Sequence, residues 1–453
     1  MKIIILGAGR RGSRLAFHLC KEDEEVSFID KDGARLDNVL YKFDCMGILG
    51  NGTDIEVLKQ ANCADADVFI AVTGNDEINI VSCGLVASEF PKVKTIAAIK
   101  NLGWSGKNEG MGSILGISEL VNPNIVTAKL LYSIVKNGIY NNIITFNKSD
   151  LILYNYLVED SKKFVSKTIQ EIRKETKDNF VVAAIKNNRD TIVPNGSTII
   201  NENDILSIVG EPKNLSSLMT NISKKQKEKF KIILVGGSMI TRFFLKQCNS
   251  SQLKNITLIE MKKDICNEFA NEFPQVVVLN ADITDDSILT DSHLTDYDLL
   301  ISLTESDELN LITATYSKKM GIERSIALIR NNINYLSMES YLGIDAVIST
   351  TESTVETVLS KLRGSNVSSI HSILGGSMEV YEYTVEENTK VCGKKLSAIN
   401  MKGKGIIAAI STKSFKSIIP TGDYVLNPGD NVLVSVSAGS LKYIQQLFIK
   451  DKQ

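Results

Sequence analysis

Gly7-Ala8-Gly9-Arg10-Arg11-Gly12 places three glycines as G-x-G-x-x-G between an apolar run, Lys2–Leu6, and a helix-like stretch, Gly12–Lys21. In that setting each glycine has a physical task. Gly7 permits a tight turn, Gly9 lets backbone N–H groups approach a pyrophosphate, and Gly12 allows close packing of helix on strand. The helix start adds oriented donors and a positive dipole end. A second apolar run ends in Asp30, 18 residues after Gly12. A carboxylate there can accept both hydroxyls of a ribose and would repel a 2′-phosphate. The competing reading is a glycine-rich turn that binds nothing. Arg10 and Arg11 either reach phosphates or cover the surface.

Two further loops follow predicted strands: Gly50-Asn51-Gly52-Thr53 and Thr73-Gly74-Asn75-Asp76. In open parallel sheets, loops at the carboxyl ends of strands face the ligand crevice. Gly52, Thr53, Thr73 and Gly74 therefore join the candidate contacts, with the Thr73 hydroxyl offered to a phosphate. The alternative is plain N-capping, by Thr53 and Asp76. The two roles are compatible.

The elements that would position these residues occur twice. Lys2–Gly7 returns as Lys231–Gly236, Phe28-Ile29-Asp30 as Leu258-Ile259-Glu260, and Asp76-Glu77-Ile78-Asn79 as Asp307-Glu308-Leu309-Asn310. The offset stays between 229 and 231 residues across separated elements, which chance similarity in one strand would not do. The second turn, Gly236-Gly237-Ser238-Met239-Ile240-Thr241, keeps only the first glycine of the pattern. Ser238 puts a Cβ where backbone should meet pyrophosphate, Thr241 adds bulk at the packing position, and Asn280 replaces Gly50. Glu260 keeps the carboxylate, and Arg330 offers a charge after the fifth strand. With Thr304 and Glu305 these form a second candidate set, expected to bind more weakly, to prefer another nucleotide, or to be empty.

Strands read as Lys2–Leu6, Glu25–Ile29, Gly47–Leu49, Val68–Val72 and Thr95–Ile99, with helical stretches such as Thr53–Ala61 between them. Such alternation implies a parallel sheet with right-handed crossovers, and near-continuous apolar strands imply helices on both faces. Residues 122–138 form an amphipathic helix with Val126, Leu130, Ile134 and Val135 on one stripe, and residues 352–363 repeat it with Val355, Val358, Leu359 and Leu362. Apolar stripes on helices leaving an already covered fold seek a partner, so a homo-oligomer is expected; packing on the small module of the same unit is the alternative. Residues 150–220 change to shorter strands with turn chemistry. Pro194-Asn195-Gly196 aligns with Pro420-Thr421-Gly422, and Asn203-Asp204 with Gly429-Asp430.

Composition narrows the function classes. The 453 residues are 43% hydrophobic and 23% charged, as in an ordinary globular protein. A net charge of −2 gives no bulk reason to expect nucleic acid. No apolar run approaches a membrane span of about 20 residues, and no signal-peptide pattern follows the N-terminus. Seven scattered cysteines without C-x-x-C read as reduced thiols, and His18, His293 and His371 are too far apart in sequence to suggest a metal or acid–base site. The lysine-rich segment 224–229 reads as a solvated linker or as a membrane-surface contact. An NAD-dependent oxidoreductase would need a general acid–base on a substrate domain, and the segment after each nucleotide fold is short for one. A scaffold with relic folds is the third reading. No catalytic residue and no metal ligand is assigned.

On Lys2–Gly12, Phe28–Asp30, Gly50–Leu58, Ala71–Asn79, Val235–Gly237, Asp307–Asn310 and the turns of both small modules, the chain resembles the bacterial Trk-system potassium-uptake peripheral subunits of the TrkA type. The resemblance covers essentially the whole chain. It implies an α/β architecture of two tandem Rossmann-like parallel-sheet (RCK_N) domains, 1–121 and 231–348. Crossover helices, 122–140 and 349–364, lead to small α+β (RCK_C) modules, 141–223 and 365–453, and 224–230 is the linker. It also implies a cytoplasmic assembly, a tetramer, peripheral on the inner face of the plasma membrane. That assembly would bind NAD(H), or alternatively ATP or ADP, and gate an integral-membrane potassium translocator. One departure concerns the ligand: the family often has Arg where this chain has Ala98. Lys100 is the substitute, a point charge rather than a fork.

Overall fold

The computed structural model describes residues 1–21, 24–101, 115–136, 143–146, 148–158, 164–176, 179–187, 190–211, 214–215, 231–285, 296–362, 367–374, 377–401, 403–412, 417–437 and 439–448. The lysine-rich segment, His293 and the last residues of the first crossover stretch lie outside them. Two compact units result, each assembled from two separated stretches: Met1–Ile139 with Gln226–Val358, and Tyr140–Lys225 with Leu359–Gln453.

The first unit holds two six-stranded parallel sheets. Numbering along the chain, one contains β1 (Lys2–Leu6), β2 (Glu25–Asp30), β3 (Met46–Leu49), β4 (Val68–Ala71), β5 (Lys94–Ala98) and β6 (Glu119–Val121), in the order β3-β2-β1-β4-β5-β6. Its repeat contains β12 (Ile232–Val235), β13 (Ile256–Glu260), β14 (Val277–Asn280), β15 (Leu299–Ser302), β16 (Arg324–Ile329) and β17 (Ala346–Ser349), in the order β14-β13-β12-β15-β16-β17. The order reverses between β1 and β4, and between β12 and β15, so the crevice at each switch point opens beside the first turn. Ile3, Ile5, Phe28 and Phe69 are essentially inaccessible, as expected for strands covered on both faces. β6 and β17 are not among the strands read from the sequence.

Helices α1 (Arg10–Lys21), α2 (Gly33–Lys42), α3 (Ile55–Gln60) and α4 (Asp76–Glu89) connect the first sheet, and α5 (Pro123–Lys136) leaves it. In the repeat, α7 (Met239–Gln247), α8 (Lys263–Glu272) and α9 (Asp307–Lys319) play the same parts, and α10 (Thr350–Leu362) leaves. Side-chain caps set the starts of several. Asp32 accepts from Arg35 N in α2, Asp54 from Glu56 N in α3, Asn75 from Ile78 N in α4 and Ser306 from Leu309 N in α9. Thr53 and Asp76 are therefore not the caps expected of them; each true cap is the adjacent residue.

The stripe on the first crossover helix finds its partner inside the chain. Ala128 and Leu131 of α5 are buried in one cluster with Phe243 and Phe244 of α7 and with Leu258 and Leu299 of the second sheet, and Leu130, Ile134 and Val135 pack against it. Val355, Val358, Leu359 and Leu362 are likewise buried. Within the chain, α5 thus packs on the other repeat rather than on the small module of its own unit. The opposite exchange is ionic. Arg14 of α1 donates from Nε and Nη2 to the two carboxylate oxygens of Glu352 in α10, both at 2.7 Å, and His18 Nε2 lies 3.6 Å from the same carboxylate. The Thr127 and Ser353 hydroxyls meet at 2.9 Å between the two crossover helices.

The second unit holds two five-stranded antiparallel sheets. β7 (Ile143–Thr145), β8 (Ile152–Leu157), β9 (Phe180–Lys186), β10 (Thr191–Ile192) and β11 (Ile205–Gly210) run β10-β9-β11-β8-β7, accompanied by α6 (Ile169–Thr176). β18 (Val367–Ile373), β19 (Met378–Thr384), β20 (Gly405–Ser411), β21 (Ser417–Ile418) and β22 (Asn431–Ser437) run β18-β19-β22-β20-β21, with α11 (Leu441–Phe448) at the end. Read in the opposite direction the second order matches the first, strand for strand. The aligned turns also match: Asp204 accepts from Asn201 N and Asp430 from Asn427 N, at 2.8 and 2.9 Å. One core cluster joins Leu153 and Val209 of the first module to Val380 and Leu433 of the second.

Candidate functional site

The geometry of the first turn requires two of its three glycines. Gly7 sits at φ +108°, a left-handed conformation that side chains disfavour, and its N–H donates to Ile29 O at 2.8 Å. A Cβ on Gly12 would lie 1.9 Å from the Gly7 carbonyl oxygen, so Gly12 brings α1 against the turn. Gly9 differs from both, since a Cβ there would meet nothing within 4 Å. Packing therefore does not require glycine at position 9. Among the described residues, no acceptor meets the amides of Gly9, Arg10, Arg11 or Gly12; the first bond of the helix runs from Ser13 N to Gly9 O. These are the orphan donors of a helix start, and they are open. Arg11 is half-buried at the same place; burial, and then Arg10, pull its pKa below the usual value, while Asp76 opposes them. Arg10 is exposed.

Asp30 is buried and holds the turn. Its carboxylate accepts the Ala8 N–H at 2.6 Å and the Asp32 N–H at 2.9 Å. Each oxygen keeps a further lone pair for a ligand hydroxyl. Replacement by alanine is expected to weaken NADH binding by about 1.5–3 kcal/mol, the worth of a hydrogen bond to a charged group. It is also expected to lower the melting temperature, because two turn amides lose their acceptor. Calorimetry and a thermal melt on one preparation read both, and unchanged affinity in the alanine variant would remove Asp30 from the site.

The other loops contribute less directly. Gly50 and Gly52 answer to packing: an added Cβ would lie 2.7 Å from Val57 and 2.4 Å from Leu6. The Thr53 N–H donates to Asn51 Oδ1. Gly74 is exposed with open space beside it. The Thr73 hydroxyl already donates to Asn79 Oδ1 at 2.6 Å, and the Thr73 N–H reaches the same oxygen at 3.0 Å. The Lys100 side chain is exposed, and its N–H donates to Asp76 Oδ2 at 2.8 Å.

Asn79 is the residue that sequence reasoning passed over. It is fully buried, accepts both Thr73 donors and donates to Ala98 O at 2.8 Å, tying the loop after β4 to the end of β5. Asn310 does the same with Thr304 and Leu328 O. The signal was present as a repeated T-x5-N spacing, Thr73 to Asn79 and Thr304 to Asn310.

The second turn keeps the positive-φ glycine and the carboxylate but has different commitments. Gly236 is at φ +99°, and Glu260 accepts the Gly237 and Lys262 amides, each at 2.7 Å, as Asp30 does in the first half. Asn280, in place of Gly50, donates to Glu260 O and Met261 O. Ser238 caps α7 by accepting Thr241 N, and Thr241 reciprocates toward Ser238 N. Thr241 is fully buried, and its hydroxyl donates to Gly236 O at 2.6 Å. Ile240 is fully buried and Met239 partly exposed. Arg330 donates through Nη2 to Leu303 O at 3.3 Å; burial pulls its pKa down, opposed by Glu305 and Asp307.

Among the described residues, no group of three His, Cys, Asp or Glu could hold a metal, and no helix is long and apolar enough to cross a membrane. The TrkA-N domain family matches residues 3–123 and 232–350, and the TrkA-C domain family matches 153–223 and 380–449. Trk system potassium uptake protein TrkA homolog 1 of Methanosarcina mazei is 28% identical over 458 residues, covering 99% of this chain and 100% of that one. The TrkA protein of Halomonas elongata is 26% identical, covering 99% and 98%. Among solved structures, the GsuK RCK domain superposes with a TM-score of 0.55 at 18% identity, covering 99% of this chain and 94% of that one. The GsuK channel bound to NAD superposes at 0.54 and 18%, covering 99% and 78%.

Proposed function

The chain belongs to the TrkA family, with two TrkA-N and two TrkA-C domains in tandem, and from that membership we propose that it is a nucleotide-binding regulatory subunit that gates a membrane potassium-uptake translocator. The observation that carries the reading is the open row of amides from Gly9 to Gly12 at the β1/β4 switch point, with Arg11 beside it and Asp30 at the end of β2. That constellation suits a nucleotide with a pyrophosphate and an unphosphorylated ribose, NAD(H) first and ATP or ADP as alternatives. Its members are Gly7, Ala8, Gly9, Arg10, Arg11, Gly12 and Asp30, with Gly52, Thr53, Thr73, Gly74 and Lys100 at the rim.

Regulation rather than chemistry is the role we assign. His18, the only histidine of the first half, is buried against Glu352 rather than beside the crevice. A ligand can bias a fold only if it binds two arrangements unequally. The helix whose start would hold the phosphates, α1, carries Arg14 little more than a turn further on, and Arg14 grips α10 of the other repeat. Movement of α1 would therefore be felt in the second half. Coupling of about 1–3 kcal/mol would change opening of a partner translocator by about 5- to 150-fold. Potassium flux through a reconstituted Trk-type translocator, with this protein and with or without NADH, tests it. Equal flux in both conditions, with binding confirmed, would leave the sensor reading unsupported.

The same reading includes the domain division along the chain, a cytoplasmic location on the inner membrane face, and a homo-oligomer, a tetramer. Support for self-association comes from Val81 on α4 and Ile312 on α9, which are 47% and 66% exposed at equivalent positions of the two repeats. Sedimentation at micromolar concentration is expected to show a species of about four chains. A single boundary at the 49.8 kDa of one chain would sink the oligomer.

A further inference from the structure

We infer that each chain holds one pyrophosphate-bearing nucleotide, in the first half only, and that the second turn is occupied permanently by its own Ser238 and Thr241. The inference rests on reading the first turn as a pyrophosphate site. It follows from comparing the two turns donor by donor.

In the second turn two of the four amides at the helix start, those of Ser238 and Thr241, are spent. The Ser238 N–H donates to Thr241 Oγ1 at 3.2 Å, and the Thr241 N–H donates to Ser238 Oγ at 3.3 Å. The Thr241 hydroxyl gives its one proton to Gly236 O at 2.6 Å, so the contact at 3.0 Å between the two hydroxyls has Ser238 as donor. The Gly237 N–H is held by Glu260 just as the Ala8 N–H is held by Asp30, so the difference between the turns lies in Ser238 and Thr241. Between these two residues the network is closed, and their hydroxyl oxygens accept from the helix start as phosphate oxygens would; among the described residues, the Met239 and Ile240 amides stay open, as those of Arg10 and Arg11 do.

Two further substitutions act in the same direction. Arg11 is replaced by Ile240, which is fully buried, so the guanidinium beside the turn is gone. Gly12 is replaced by Thr241. A Cβ at Gly12 would lie 1.9 Å from the Gly7 carbonyl, whereas the Thr241 hydroxyl makes a hydrogen bond to the corresponding Gly236 carbonyl. The second helix start therefore stands further off its turn than the first. Phosphate entry would require breaking the capping box and would bring no cation from this turn in return. Arg242, next in the chain, is paired with Glu268 and Glu272, and Arg330 is drawn toward Leu303 O, with Glu305 and Asp307 beside it.

The experiment is calorimetric titration of the full chain with NADH, repeated with ADP, on the natural protein and on Gly9→Val and Ser238→Val. The expected stoichiometry is one NADH per chain in the natural protein, none in Gly9→Val, and one in Ser238→Val. Two per chain, with one surviving in Gly9→Val, would overturn the inference and leave the first site standing. One per chain that survives Gly9→Val and is lost in Ser238→Val would overturn it as well. No binding of either nucleotide by the natural protein would remove the underlying reading along with the inference. The natural protein's stoichiometry decides the matter even if Ser238→Val, which loses a helix cap, is poorly folded.

Discussion

Gly9→Val is expected to yield a folded protein that has lost NADH, with affinity down at least ~100-fold, or about 2.7 kcal/mol, and a melting temperature within a few degrees of the natural protein. A Cβ on Gly9 meets no protein atom within 4 Å, so the fold does not register the change. A pyrophosphate lying on the Gly9–Gly12 amides would meet the valine directly. Gly12→Val is the opposite case. Its Cβ would fall 1.9 Å from a backbone oxygen that cannot swing aside, and destabilisation of about 3 kcal/mol or more is expected. The pair separates a glycine kept for a ligand from a glycine kept for packing. Titration and thermal melts on both variants check it, and unchanged NADH affinity in Gly9→Val would show that the site is misplaced.

Glu352→Ala is expected to cost roughly 3–5 kcal/mol of stability in the unit that holds it, the usual penalty for breaking a buried ion pair. Arg14 is 22% exposed and His18 only 3%, so neither finds water easily when the carboxylate is gone. The cost should depend on pH. Burial alone would raise the Glu352 pKa, but His18 and Arg14 more than offset it and hold it at about 2, against an ordinary 4.5. A carboxyl depressed in the folded state binds its proton more weakly there than in the unfolded chain. Its contribution, about 3 kcal/mol, is complete above pH 4.5 and disappears as pH falls toward 2. Urea melts of the natural protein and the variant at pH 7, 4.5 and 3 should therefore converge on the acid side. A gap that stays constant through that range would mean that the charge of Glu352 is not what stabilises the contact.

These two predictions differ in how much of their basis the sequence contained. The turn was legible because its determinants are local. Three glycines at fixed spacing, an apolar strand before them and Asp30 at the end of the next strand need only the geometry of strand–turn–helix to be placed. The repeat was legible for the same reason, and so was the α/β class, since strands covered on both faces must be apolar along their length. Caps were legible to within one residue. Asp54 and Asn75 do the work expected of Thr53 and Asp76, because the choice among adjacent polar residues depends on where the chain leaves extended geometry.

Only the tertiary structure decided what the crossover helices meet. The stripe at Leu130 and Ile134 is written in the sequence, but an apolar face specifies that something covers it, not what. Phe243 and Phe244, more than a hundred residues on, cover it through contacts that no periodicity encodes. The same holds for Arg14 and Glu352, separated by 338 residues, and for Asn79, whose partners lie at the ends of two strands. It holds above all for the two turns. Ser238 and Thr241 could be read as a damaged copy of Gly9 and Gly12. Their hydroxyls and amides had to be placed in space before they could be seen to satisfy one another, because a donor is free or spent only by virtue of what lies within hydrogen-bond reach.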